Sequence, residues 1–465
     1  MSAARLPVVV LVGRPNVGKS TLFNRFTGAR DALVADYAGL TRDRQYGRGH
    51  CDGRHFIVVD TGGLSPDRHD PLAVLAEHQA QLAIAEADCI VLLTDARSGL
   101  LPADHDIADH LRRSGKPVAL WVNKTEGLPA AEMAEFHALG LGPPRRVSAK
   151  RGNGLSNALE VLLAGFPEAG EADEEADPER IRVAVIGRPN AGKSTLINRL
   201  AGDERLLASD TPGTTRDAVS VPFEWGGRAF ELTDTAGIRR RARVSETLEK
   251  FSIVKALQAI ERAQVVIVMV DAQAEIGSHD ARLMGLVAQR GRAMVLAVNK
   301  WDGLGTSQRH EVRDVADYRL PFLDYVPLHT ISALHGSGLR ELMQSVVAAW
   351  RATMRELPTP ELNRVLAEAV ARHAPHAVLG RRIKLRYAHQ AGRNPPVVMI
   401  HGNQTERLKD SYKAYLANVF RKAFKLKGVP LKLEFKTGDN PYDQPGSPAR
   451  GRARNPGRAK ASRRK

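Results

Sequence analysis

The sequence predicts an α/β protein made of two P-loop units with parallel-type sheets, followed by a small α+β module. Three observations predict it. The stretch GRPNVGKS, Gly13 to Ser20, returns as GRPNAGKS, Gly187 to Ser194. Each copy stands between a strand-like run (PVVVLV, IRVAVI) and a helix-like one (STLFNRFTG, STLINRLAG), the order a phosphate loop requires. Residues 355–465 hold 25 basic and 8 acidic side chains within a chain of net charge +16, so the part before them is nearly neutral.

At 465 residues the chain exceeds one ordinary core and predicts about three domains. No apolar run reaches the length of a membrane span. The start MSAARLPVVVLV carries one basic residue and runs almost directly into the first loop, so a cleaved signal would destroy that loop. A cytoplasmic protein is expected. Cys51 and Cys89, two isolated cysteines, predict neither a disulfide framework nor a metal cluster.

In the first loop the backbone around Gly13, Asn16, Val17, Gly18 and Thr21 can cradle phosphate oxygens; Gly187, Asn190, Ala191, Gly192 and Thr195 repeat that turn. Lys19 and Lys193 can offset charge on the outer phosphates, which makes them candidate catalytic groups, and Ser20 and Ser194 can ligate magnesium. Asn16 and Asn190 have an acceptor placed for a monovalent cation such as potassium; the other reading is that they stabilise the loop.

Leu6 to Val12 reads as a buried parallel strand. In the polar segment after the first helix, Thr41 of GLTRD is placed to add a second protein oxygen to magnesium. HFIVVD follows as a strand ending on Asp60, whose carboxylate can hold a magnesium-bound water. Gly62 and Gly63 allow backbone approach to a terminal phosphate. CIVLLTD and VALWVNK are further strands with helical patterns between them. Asn123 can read a purine acceptor edge, the Lys124 stem can pack over the base, and Glu126 can accept from the N1–H and 2-amino group of guanine, a donor pair adenine lacks. Ser148 and Ala149 of SAK fit a backbone contact to the base.

Residues 167–180 carry seven acidic side chains and one arginine, and predict a flexible acidic linker; a solvated helix is the alternative. The second unit then repeats the first: Thr215 in GTTRD, Asp234 and Gly237 in DTAG, Asn299, Lys300 and Asp302 in NKWD, Ser332 and Ala333 in SAL. Thr215 and Asp234 repeat the magnesium roles of Thr41 and Asp60. The loop, the threonine and DTxG are each displaced by 174 residues, which marks an internal duplication.

After DTGG and DTAG stand Leu64 and Ile238, neither able to orient water, so slow intrinsic turnover is expected unless another group, a cation or an accessory protein assists. Arg239, Arg240, Arg241 and Arg243 form a basic cluster beyond the second DTAG.

Beyond the prolines at 358 and 360 the pattern is helix, two strands, helix and strand, with a helix cap at Thr359. Its positive charge favours a polyanion such as RNA. No G-x-x-G loop is present, and Met399, Tyr412, Tyr415 and Phe420 are expected in the core. Residues 444–465, with eight basic and no acidic side chains, predict a disordered tail that binds phosphate backbones.

Together, GRPNxGKS, TRD, DTxG, NKx(D/E) and SA(K/L), each present twice before a small basic module, resemble the bacterial tandem-domain GTPases of the Der (EngA) family. The resemblance implies two P-loop GTPase domains (1–166 and 181–354) around the linker, a KH-like domain (355–443) and the tail. It implies GTP hydrolysis with magnesium, partnership with the large ribosomal subunit and its RNA in that subunit's maturation, a monomer, and partial association with ribosomes. Glu126 departs from the family's usual aspartate, which bears on guanine selectivity in the first site. A nucleotide-gated RNA-binding module with incidental hydrolysis is the alternative. A metabolic kinase is disfavoured by two base-reading motifs and no separate acceptor pocket.

Overall fold

A computed structural model describes residues 6–31, 45–61, 80–166, 180–202, 221–233, 253–274, 277–305, 309, 324–378 and 381–437. The chain separates into two compact units: Met1–Thr353 with Lys427–Pro430, and Met354–Leu426 with Leu431–Lys465.

The first unit holds two similar sheets. In the first, β1 (Val8–Val12) leads through the glycine loop into α1 (Lys19–Asp31); β2 (Gln45–Cys51), β3 (Arg54–Asp60), β4 (Cys89–Asp95), α2 (Pro102–Arg113), β5 (Val118–Asn123), β6 (Arg145–Arg146) and α3 (Leu155–Leu162) follow. The strand order is β2-β3-β1-β4-β5-β6. β1 lies parallel between β3 and β4, with Val10 opposite Val59 and Ile90, and every residue of β1 and β4 is buried. Buried on both faces, these strands read as continuous apolar runs rather than alternating ones. The chain leaves β1 toward β3 and returns to β4 on the other side, so a crevice opens beyond the carboxyl end of β1.

The second sheet repeats this. It comprises β7 (Ile181–Gly187), α4 (Lys193–Gly202), β8 (Val221–Trp225), β9 (Arg228–Leu232), α5 (Ile253–Arg262), β10 (Val265–Asp271), α6 (Ser278–Gln289), β11 (Ala293–Asn299), β12 (Leu328–Thr330) and α7 (Leu339–Thr353). Its order is β12-β11-β10-β7-β9-β8.

Each sheet ends in one antiparallel edge strand, β2 or β8. The polar reading of QYGRGHC did not anticipate β2. Its glycines explain why: a Cβ on Gly47 would strike Thr27 and Phe23, and one on Gly49 would strike the Phe56 ring. The strand's apolar face is supplied by its neighbours.

Within this unit one buried apolar cluster includes Val8 and Val10 of β1 together with Val254, Leu257 and Ile260 of α5. Gln258 of α5 donates to the Leu6 carbonyl at 3.3 Å. Beside it, Glu261, 7 % exposed, draws in Arg48 of β2 and Arg290 at 3.3 Å each, and Arg292 at 3.7 Å.

The second unit contains α8 (Thr359–Arg372), the short β13 (Ala377–Val378) and β14 (Arg381–Arg382), β15 (Leu385–Gly392), β16 (Val397–Gly402), α9 (Asp410–Ala423) and β17 (Lys432–Thr437). Its three-stranded sheet runs β15-β16-β17, antiparallel then parallel. Ala388, Val398 and Ile400 face inward and are fully buried. Asn363 of α8 grips β15, donating to the Ala388 carbonyl at 3.0 Å and accepting from its N–H at 2.8 Å. Phe420 is core, and Met399 is half-buried. The tyrosines span α8 and α9, Tyr415 donating to the Ala369 carbonyl at 3.1 Å and Tyr412 to that of His373 at 2.7 Å. The cap residue of α8 is Pro358 and Thr359 is already helical, so the expected Thr359 cap gives way to a proline lead-in. No described helix is long and apolar enough to cross a membrane.

Candidate nucleotide sites

Strand ends meet at each crevice. In the first, β1 runs into the glycine loop, β3 ends on Asp60, β4 on Asp95 and β5 on Asn123. In the second, β7, β10 and β11 supply Gly187, Asp271 and Asn299. Thr41, Gly62, Gly63, Leu64, Thr215, Asp234, Gly237, Ile238 and the arginines 239, 240, 241 and 243 lie outside the described residues, as do the linker to residue 179 and the tail.

The loops owe their shape to backbone conformations few residues adopt. Gly18 and Gly192 have φ of 104° and 95°, and a Cβ on either would collide with the side-chain amide of Asn123 or Asn299. Asn16 and Asn190 are left-handed at φ 65° and 63°, a region asparagine tolerates better than most side chains. The side chains of both are exposed at the loop.

Lys19, 5 % exposed, turns its ammonium onto the loop's own carbonyls, Gly13 at 2.9 Å and Arg14 at 2.7 Å. Burial pushes this amine down to about 8, with Asp60 opposing the shift and Arg14 adding slightly to it. Lys193 likewise reaches the Arg188 carbonyl at 2.7 Å. Ser20 donates its hydroxyl to Asp60 at 2.8 Å, and Asp60 is 3 % exposed. Thr21 and Thr195, each two residues into its helix, are exposed.

At the base end the asparagines carry a task the sequence did not show. Asn123 donates its amide to the Val17 carbonyl at 2.8 Å and accepts from the Ala149 N–H at 2.8 Å. Asn299 does the same between Ala191 and Ala333, at 2.9 Å each. Each amide thus spends one N–H and one oxygen lone pair inside the protein, bracing the phosphate loop against the SA loop. Lys124 and Lys300, left-handed at φ 63°, pair with Asp95 and Asp271 at 2.6 Å, which lays the lysine stems along the crevice. Lys124 also donates to the Asn16 carbonyl at 2.9 Å.

Each base-end carboxylate is held by a serine of the SA loop. Glu126 accepts from the Ser148 hydroxyl, and Arg97 lies 3.8 Å away. The Ser148 hydrogen bond chiefly holds this carboxyl below its usual range. Asp302 is lowered the same way, first by Ser332, with His335 Nε2 at 3.4 Å contributing less. The longer Glu126 makes the same kind of serine contact as Asp302. In the second domain these groups line one cavity of about 460 Å³, bounded by Asn190, Gly192, Lys193, Ser194, Thr195, Gln273, Lys300, Asp302, Ser332 and Leu334. That volume suits a nucleotide.

Sequence reasoning missed Asp95, Asp271 and Arg25. The duplication carried a signal for the aspartates, since DAR and DAQ stand at matching strand ends. Arg25, on α1, fixes the SA loop by donating to the Ala149 carbonyl at 2.6 Å.

Comparison with known proteins supplies what geometry leaves open. A family model described as a 50S ribosome-binding GTPase matches residues 8–124 and again 182–300. A second, described as the C-terminal KH-domain-like region of EngA bacterial GTPase enzymes, matches residues 356–436. GTPase Der of Thioalkalivibrio sulfidiphilus is 53 % identical over 439 residues, covering 94 % of both chains. GTPase Der of Halorhodospira halophila is 54 % identical over 441 residues, covering 94 % of this chain and 93 % of its own.

Proposed function

The chain belongs to the Der (EngA) family of bacterial GTPases, and from that premise we propose that it is a GTP-controlled assembly factor acting in maturation of the large ribosomal subunit. The observation that carries this reading is the double match to a 50S ribosome-binding GTPase ahead of a basic KH-like module. Its partners would be the large subunit and its RNA, met by the positive C-terminal part as a cytoplasmic, partly ribosome-associated monomer.

In this reading Asp302 and Glu126 select guanine, and the two lysines leave their loop carbonyls for the outer phosphates. The loop N–H groups and the lysine offset charge that develops as water attacks the terminal phosphate in line. Ser20 and Asp60, with Thr41, and Ser194 with Thr215 and Asp234, offer only hard oxygens, a donor set suited to magnesium with retained waters. Magnesium there would neutralise charge on the outer phosphates. Asn16 and Asn190, exposed at the loop rims, are the proposed potassium ligands. With Leu64 and Ile238 unable to orient water, turnover is slow until a cation or protein partner assists.

Affinity for large-subunit particles, measured at matched salt with GTP and GDP analogues, tests the switch; equal affinities would sink it. The same pair of aliphatic residues favours a second reading, a nucleotide-gated binding module whose hydrolysis is incidental. A hydrolysis-blocked variant that still completes maturation and recycles would select it.

A further inference from the structure

The arginine of GRPN has no role in the site as described, yet in both domains it meets the same partner. Arg14 Nε lies 2.8 Å from Asp104 Oδ1, and Arg188 lies 2.9 Å from Asp280 Oδ2. Both aspartates are fully buried. Each occupies the third position of its helix, α2 or α6, and accepts from the N–H of the residue before that helix, Leu101 at 3.1 Å or Gly277 at 3.0 Å. A buried carboxylate is costly unless paired, and this pairing anchors the glycine loop to α2 or α6.

The anchored residue matters for chemistry, because the carbonyl of Arg14 receives Lys19 and that of Arg188 receives Lys193, both at 2.7 Å. One residue is thus fixed at its side chain and holds the P-loop lysine at its main chain. The geometry recurs in two domains that share an ancestor but differ along most of α2 and α6, PADHDIADHLRR against SHDARLMGLVAQ.

We infer that Asp104 and Asp280 are positioning residues for the phosphate loops, each acting through the loop arginine to hold the carbonyl from which the lysine is delivered to phosphate. The two sites differ in how far this strap extends. In the first, Ser98 accepts from Arg14 at 3.2 Å, and Arg97 stands beside Glu126, so Asp95–Asp104 touches the base end and the phosphate end together. In the second, Gln273 and Ala274 replace Arg97 and Ser98, and the Asp280 bond works without them.

The test uses the full chain with Lys193→Ala to isolate the first site, and measures binding of GTP, GDP and guanosine to Asp104→Asn and Arg14→Gln. The expected result is about tenfold weaker binding of GTP and GDP with guanosine unchanged. The double variant should lose no more than either single one, since both cut the same link. Arg14→Lys should recover part of the loss.

Equal weakening for guanosine and GDP, additive losses, or no loss would overturn the inference. If Asp104→Asn does not fold, Arg14→Gln carries the test, because its side chain is at the surface edge, 14 % exposed. The inference rests on the loops binding phosphate. A parent chain that binds GDP no better than guanosine would refute that premise separately.

Discussion

Asn123 donates its side-chain amide to the Val17 carbonyl at 2.8 Å, so the end of the site that meets the base also sets the loop that meets phosphate. Asn123→Ala leaves that carbonyl and the Ala149 N–H without their bonds in a buried setting. Each orphaned group costs about 1–3 kcal/mol. GDP affinity of the first site should fall roughly 10- to 100-fold. Equilibrium titration with a fluorescent GDP analogue checks this, and Asn299→Ala should reproduce it in the second site.

Lys19 predicts a proton linkage. Burial brings its amine down to about 8, so at pH 9 most of the protein carries it neutral. A phosphate arriving beside it favours the charged form, and GDP binding should take up a proton between about pH 8 and 10 and none near pH 6. Calorimetry in two buffers of different ionisation heat reads that uptake directly. Affinity at the first site should decline as pH rises through this window.

The base-reading carboxylates predict the opposite edge of the pH range. Glu126 and Asp302 are both held below their usual values, first by a serine hydroxyl. A lowered carboxyl contributes its favourable interactions above its ordinary value and loses them as pH falls through the folded one. Preference for GDP over ADP should stay flat from about pH 8 down through the ordinary carboxylate range and collapse only below it. Ser148→Ala should move that collapse upward at the first site alone, as seen by competition binding.

Glu261 supplies a stability prediction. It is nearly buried amid three arginines, and Glu261→Gln removes the carboxylate charge that they share. Breaking such a pair costs about 3–5 kcal/mol. Arg48→Gln removes a partner 40 % exposed, where screening limits the loss to under about 1 kcal/mol. In thermal unfolding the first variant should melt several degrees lower and the second almost with the parent.

Which parts of this were legible in the sequence follows from the range over which each feature is determined. GRPNxGKS and NKx(D/E) could be read because phosphate and base contacts come from consecutive residues whose spacing the backbone dictates. The strands β1, β4 and β11 could be read because burial on both faces leaves no alternation. Asp104 and Arg25 could not, since each acts on a segment about 90 or more residues away in the chain, Arg14 and Ala149. Asn123 was visible as a site residue but not as a brace, because an amide offers the same two ends to a base and to a backbone. β2 escaped because its glycines surrender their space to Phe23 and Phe56.

On the side away from β2 and β8, the two nucleotide sheets finish on strands of two and three residues, β6 and β12. A chain that contains the same architecture twice runs a particular hazard during synthesis: a strand of one copy can be captured by the open margin of the other. Margins this short expose few unpaired backbone groups, and Arg145 and Arg146 place charge on one of them. On that side, each copy offers the other's strands little open backbone to pair with.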